Sequence, residues 1–160
     1  MKIRIEERPE LPEDELILLC RRATGEIRSA AAELSGIIGD AATLEAYRHC
    51  SRTDGGDAVC YPRVADILFF QTEDGAVFAH TKEDMLLVKQ RLYELLDMLP
   101  GNFIRISKSA IVNTKQVSSV VRSISSGITA GQVSFRESYK QTYVSRRYYK
   151  ALNDKLKQRS

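Results

Sequence analysis

Two short segments of this chain gather hydroxyls and cations at the ends of apolar strands: Phe103-Ile104-Arg105-Ile106-Ser107-Lys108-Ser109-Ala110-Ile111-Val112-Asn113 and Tyr143-Val144-Ser145-Arg146-Arg147-Tyr148-Tyr149. In the first, alternation assigns Ile104 and Ile106 to one face of a strand, and Ala110, Ile111 and Val112 return to the core directly afterwards. Ser107, Lys108 and Ser109 are thereby held at a surface corner between two buried anchors. A hydroxyl and an ammonium fixed in this way suit contact with phosphates and base edges. In the second segment, Ser145 stands where it can cap a helix, which puts Arg146 and Arg147 in the first turn. Cations there oppose the helix dipole at a cost of about 0.3–1 kcal/mol each, and an external anion would relieve the conflict. Both segments also have a plainer reading, as basic surface pointing into water.

Charge is unevenly distributed around these segments. Residues 101–160 carry 12 Lys or Arg against Glu137 and Asp154 alone, a local excess of 12 − 2 = +10, whereas residues 1–100 carry 12 basic and 19 acidic side chains. The net charge of +3 conceals this division. A dense single-sign face concentrates polyanions and speeds their capture, and nucleic acid is the first such partner to consider.

Other chemistries lack their residues. His49 and His80 are the only histidines, and His49 beside Cys50 cannot form a metal site without distant ligands. Core or edge packing is the better reading of both. Cys20, Cys50 and Cys60 are odd in number and too far apart for a metal knuckle or redox pair, and they read as reduced thiols in a cytoplasmic protein. Glycine-rich phosphate loops, zinc-protease helices and paired carboxylates are missing, so no catalytic residue, metal or cofactor is expected. No apolar run approaches the length of a membrane-spanning helix, and the charged N-terminus does not read as a secretory signal.

The elements that must position the two basic segments are mostly strands. Met1–Glu7 alternates as a strand, a second strand is read near residues 15–21, and a helix is read from about Thr24 to Ser35, ended by Gly36. Strands are expected at Thr43–Cys50 and Ala58–Tyr61, and a hairpin at Ile67–Thr72 and Ala76–Thr81 across Glu73-Asp74-Gly75. Thr81 and Asp84 look like a capping pair, and Met85, Val88, Leu92, Leu95 and Leu99 recur at helical spacing up to Pro100-Gly101. A single helix over 81–99 is therefore predicted. Strands at Phe103–Ser107, Val117–Ser125, Gly131–Arg136 and Lys140–Val144 follow, then a last helix with Tyr148, Leu152 and Leu156 on one side.

In this order and spacing, FIRISKSAIVN, the preceding ILFFQTEDGAVFAHT and the closing YVSRRYYKALNDKL resemble the LytTR family of bacterial transcription regulators. With the strands at 43–61, the resemblance covers about residues 40–157. The turn Arg136-Glu137-Ser138-Tyr139 departs from it in lacking Asn-Gly. The resemblance implies a mainly β (α+β) fold, an elongated β-strand DNA-binding domain with two flanking helices, in which loops at strand ends rather than a recognition helix enter the grooves. It implies a domain at 40–157 preceded by a short β/α extension at 1–38, too short for a phosphoacceptor receiver and available for regulation or dimerisation. Lys108 falls where the family has a base-contacting residue, and Arg146 where it has the arginine of its VSR segment. Together with Arg105, Ser107, Ser109, Ser145 and Arg147, they form the expected DNA-binding set. A further contact would fall within Thr72–Gly75, with no residue assigned, and Asn113 reads as a turn-stabilising side chain. The partners implied are double-stranded DNA at repeated sites, a second copy of the chain, and a small membrane protein encoded nearby. A module that binds an acidic protein or single-stranded RNA through the basic face is the competing expectation.

Overall fold

The computed structural model describes Pro9 and residues 17–48, 57–123 and 129–158. The expected strand at 1–7 lies outside them, as do the distal parts of those at 43–50 and 117–125. Two compact units are present, Met1–Ile37 and Ile38–Ser160.

In the first unit, residues 17–20 have no regular structure, so the strand expected near 15–21 is not formed over its described part. Leu19 is 81% exposed and lacks both the pairing partner and the burial that would favour a strand. Helix α1 runs Gly25–Ala41, with the Thr24 hydroxyl accepting from the Ile27 amide at 3.4 Å. It continues beyond Gly36, where it was expected to stop. A glycine inside a helix costs about 1 kcal/mol relative to alanine, which weakens the helix without ending it.

The second unit is built on a seven-stranded antiparallel sheet. Its strands are β1 (Ala46–Arg48), β2 (Ala58–Cys60), β3 (Phe69–Glu73), β4 (Ala76–His80), β5 (Met85–Val88), β6 (Phe103–Ser107) and β7 (Ala110–Asn113), in the order β2-β1-β5-β4-β3-β7-β6. A three-stranded sheet of β8 (Val117–Arg122), β9 (Thr129–Phe135) and β10 (Gln141–Ser145) has the order β10-β9-β8. Helix α2 (Leu92–Met98) lies against β6 and β7, and helix α3 (Arg146–Gln158) lies against β6, β9 and β10.

Period-two alternation divides the hydrophobic residues of the large sheet between two cores. Phe70, Ile111, Phe103, Val77, Ala79, Leu86 and Val88 face α2 with Leu92 and Leu95. Their strand neighbours Phe69, Val112 and Ile106 turn to the other side, where Val117, Val133, Phe135 and Val144 of the small sheet and Leu152 of α3 cover them. Tyr148 and Leu156 pack on the same cluster, so the last helix buries the face expected of it.

The main departure lies between residues 81 and 99. Thr81 and Asp84 make one of the two bonds expected of a capping pair: the Asp84 amide donates to the Thr81 hydroxyl at 3.0 Å, but the Thr81 amide donates to the backbone carbonyl of Asp84 at 3.0 Å while the Asp84 carboxylate accepts from Arg48 at 2.7 Å. The turn so formed opens into a strand, not a helix. Met85–Val88 pairs with β4 through Val77↔Val88 and Ala79↔Leu86, and with β1 through Tyr47↔Leu87. The free edge of β4 offers backbone hydrogen bonds that override the local helical spacing. The helix starts only at Leu92, with the Glu94 carboxylate accepting from the Arg91 amide at 2.9 Å.

Candidate nucleic-acid interface

The first basic corner is a tight connection between β6 and β7. Ile106 and Ala110 are buried on either side of it, and the ladder slips register between Arg105 and Ser107. The Ser107 hydroxyl accepts from the Ser109 amide at 3.1 Å and lies 3.3 Å from the Ser109 hydroxyl. The Ser109 carbonyl accepts from the Thr72 amide of β3 at 2.8 Å. Arg105 is half-buried, and its guanidinium donates to the carbonyl of Ser107 at 2.8 Å and to that of Lys108. With the Ser107, Lys108 and Ser109 carbonyls and the Ser109 amide all hydrogen-bonded, the exposed Lys108 side chain projects from a held loop, and its ammonium has no ion-pair partner among the described residues.

The second corner joins β10 to α3 with no intervening residue. Val144 is fully buried and anchors it, and the pairing with β9 shifts between Val144 and Ser145. The half-buried Ser145 hydroxyl donates to the Ile106 carbonyl at 3.4 Å. Arg146 and Arg147 follow, both exposed, in a first turn that holds no acidic side chain. The Arg147 guanidinium lies 5.8 Å from the centroid of the Tyr148 ring, a cation–π contact. Arg146 makes no ion pair among the described residues.

Strand register brings these corners together. Gln71 pairs with Ala110, so the end of β3 lies at the Ser107–Ser109 end of the sheet. The β3–β4 turn, Asp74-Gly75, is therefore at that end too, with φ of 49° and 80°, the left-handed pair of a two-residue hairpin turn. Val77 pairs with Val88, which places the exit of β5 beside it. Ser145 joins the same end through Ile106. Lys108, Ser107, Ser109, Ser145, Arg146 and Arg147 thus share one end of the second unit, and Arg105 supports the loop from behind.

Asn113 is a structural hub, 1% exposed. Its amide nitrogen donates to the Ile67 carbonyl at 2.9 Å, and its oxygen accepts from Asn102 at 2.7 Å and from the Lys115 amide at 3.1 Å. His80 is a core residue stacked on Phe69, with centroids 4.2 Å apart. Burial, reinforced by the Lys140 ammonium, lowers its pKa to about 4. Among the described residues no group of His, Cys, Asp and Glu is arranged to hold a metal ion, and no helix is long and apolar enough to cross a membrane.

The strand at Met85–Val88 has a further consequence for the basic end of the sheet. Because β5 ends at Val88, Lys89 and Arg91 emerge at the same sheet end as Lys108 and line a cleft with it. The sequence signal for this strand is the unbroken apolar run Met85-Leu86-Leu87-Val88, which suits a short buried strand as well as a helix.

A family model for the LytTr DNA-binding domain matches residues 58–157. Among curated proteins, uncharacterised HTH-type transcriptional regulators of Staphylococcus aureus strains NCTC 8325 / PS 47 and COL are each 37% identical over 93 residues, 58% of this chain and 60% of theirs. The match thus spans less than two thirds of those relatives' length. Among solved structures, the LytTr DNA-binding domain of a putative methyl-accepting/DNA response regulator from Bacillus cereus superposes with a TM-score of 0.57 at 20% identity, covering 72% of this chain and 96% of that one. That likeness concerns the fold.

Proposed function

Because the chain belongs to the LytTR family of DNA-binding domains, we propose that it is a sequence-specific, duplex-DNA-binding regulator of transcription that reads its operator through loops at strand ends. The observation that carries this reading is the hydrogen bond between Ser145 and the Ile106 carbonyl, which sets the Arg146 corner beside the Lys108 corner. Two exposed cations with no ion-pair partner among the described residues, each on a hydrogen-bonded base, suit direct readout of base edges. Lys108 and Arg146 are the proposed base-reading residues. Ser107, Ser109, Ser145 and Arg147 are assigned to phosphates, and Arg105 to holding the first loop. The three described helices are separated by strands, so no pair of consecutive helices serves as a helix-turn-helix.

One unit of this size reaches few base pairs, so binding as a homodimer, or as two copies on repeated sites, belongs to the same proposal. Residues 1–38 would then provide docking or dimerisation, and a membrane protein acting through them would provide regulation of a cytoplasmic regulator.

Affinity measured across salt concentration tests the reading. With about five to seven phosphates contacted, log K should fall with log salt at a slope of roughly −4.5 to −6. Arg146→Ala or Lys108→Ala should cost about 1–3 kcal/mol and relax preference at one operator position without moving Tm. A slope near zero, or equal affinity for random and selected duplexes, would return the basic face to an acidic-protein or single-stranded RNA partner.

A further inference from the structure

The cleft beside Lys108 has a volume of about 570 Å3 and runs between the β3–β4 hairpin, the exit of β5 and the β6–β7 loop. Four of its twelve wall residues are cationic, Lys89, Arg91, Arg105 and Lys108, and none carries a carboxylate. Composition does not explain this. Lys89 and Arg91 come from the part of the chain where acidic side chains outnumber basic ones 19 to 12, yet they are gathered where Lys108 stands.

Each cation has a defined seat. Lys89 lies over the Tyr47 ring at 4.7 Å from the centroid, a contact made possible by the Tyr47↔Leu87 pairing of β1 with β5. Arg91 precedes α2, its backbone amide engaged by Glu94 at 2.9 Å while its side chain is exposed. Glu73, Asp74 and Glu94, which adjoin wall residues in sequence, are not themselves in the wall, and the carboxylate whose charge acts on Lys89 is Glu45, bonded to the Tyr47 hydroxyl.

We propose that this cleft seats the sugar–phosphate backbone of the duplex whose bases meet Lys108, with Lys89 and Arg91 each neutralising a phosphate. The inference rests on the DNA-binding reading and deepens it by adding a third contact element, the β5–α2 junction. Its basis is shared walls: Lys108 and Arg105 belong both to the cleft and to the base-reading loop, so a strand leaving that loop enters the cleft. Phosphates here would position the duplex without reading it.

Fluorescence anisotropy on the full chain tests the proposal, using a duplex enriched from a random pool beside a scrambled one. Lys89→Ala and Arg91→Ala should each weaken both duplexes by the same factor, about 3- to 10-fold, and each should reduce the salt slope by about 0.9, with base preferences unchanged. Lys89→Arg should keep the wild-type slope, and equal melting temperatures for all variants exclude a folding defect. If wild type binds the enriched duplex and the double variant matches it in affinity and slope, the cleft proposal fails while the DNA-binding reading stands. If wild type prefers no duplex, both fail. Stabilisation of wild type by millimolar pyrophosphate, lost in a double variant that still binds DNA as wild type does, would assign the cleft to a free phosphorylated small molecule and overturn the proposal.

Discussion

The guanidinium of Arg105 donates a hydrogen bond to the backbone carbonyl of Lys108, and its Nε reaches the carbonyl of Ser107 at 2.8 Å. A planar fork with several donors can bridge two successive carbonyls, whereas an ammonium on a flexible stem cannot hold both in the same geometry. Arg105→Lys should therefore preserve formal charge while loosening the loop. The expected result is about a tenfold loss of operator affinity with an unchanged salt slope, measured by titration at several salt concentrations. Wild-type affinity in the Lys variant would show that the loop does not depend on the fork.

At the start of α3, two small effects oppose each other in Arg147. Replacing it by Glu removes an unfavourable interaction with the helix dipole, about 0.3–1 kcal/mol, and also removes the exposed contact with Tyr148, about 0.5–1 kcal/mol. Free-protein stability should therefore stay within about 0.5 kcal/mol of wild type in urea denaturation. DNA binding should be abolished, because a carboxylate would then face phosphate.

Gly131 is a packing requirement. A Cβ added there would stand 3.1 Å from Cε2 of Tyr149, 3.1 Å from the Val121 carbonyl oxygen and 3.2 Å from Cγ1 of Val120. The tyrosine ring can shift, but the carbonyl belongs to the β8 backbone and cannot. Gly131→Ala should cost about 1–3 kcal/mol by overpacking and should displace the start of α3, so denaturation midpoint and operator affinity fall together.

His80 makes the fold sensitive to acid. Its folded-state pKa of about 4 lies below the ordinary value of 6.5, so between these values the unfolded chain binds more protons than the folded one. Stability must then fall as pH drops from about 6.5 towards 4, by at most about 1.4 kcal/mol per pH unit from this residue. Glu73, whose carboxylate oxygen lies 3.9 Å from Nε2, is too distant to offset the burial and the Lys140 charge. Nε2 has no hydrogen-bond partner, so His80→Phe leaves no acceptor behind. Urea midpoints at pH 5 and 6.5 should differ less in that variant than in wild type, and equal differences would remove His80 as the cause.

How much of this was legible in the sequence depended on whether an element's partners were local. The hairpin of β3 and β4 announced itself, because Asp74-Gly75 supplies the turn and Phe69, Phe70, Val77 and Ala79 supply the strands. The β6–β7 corner was legible for the same reason: Ile106 and Ala110 bracket three polar residues. Met85–Val88 was not: its spacing with Leu92 and Leu95 is helical by coincidence, the turn that joins it to β4 uses Thr81 and Asp84, residues that also suit a helix start, and its other partner, Tyr47, is distant in sequence. Helical spacing puts Lys89 and Arg91 on a helix face, whereas the β5–α2 junction puts them in the cleft wall with Lys108. Arg105 is a subtler case: its charge suggests outward contact, and only the positions of the Ser107 and Lys108 carbonyls show that its guanidinium donates to the loop backbone.

The two sheets are pinned to each other at both ends. Far from the basic corners, Lys82 pairs with Glu137 at 2.6 Å and Lys140 donates to the Asp84 carbonyl. Midway, Thr142 donates to Gln71 at 3.2 Å, and at the near end Ser145 reaches Ile106. Fastened at these points, the two sheets act as a gauge: the spacing of the backbone corners that carry Arg146 and Lys108 is a gap set by the fold before any ligand arrives. In the complex proposed here, a duplex whose groove spacing differs from that gap would have to bend or untwist to fit, at a cost that depends on its base steps. Operators would then be selected partly at positions no side chain touches, with the stiffness of the protein read out as the flexibility of the DNA.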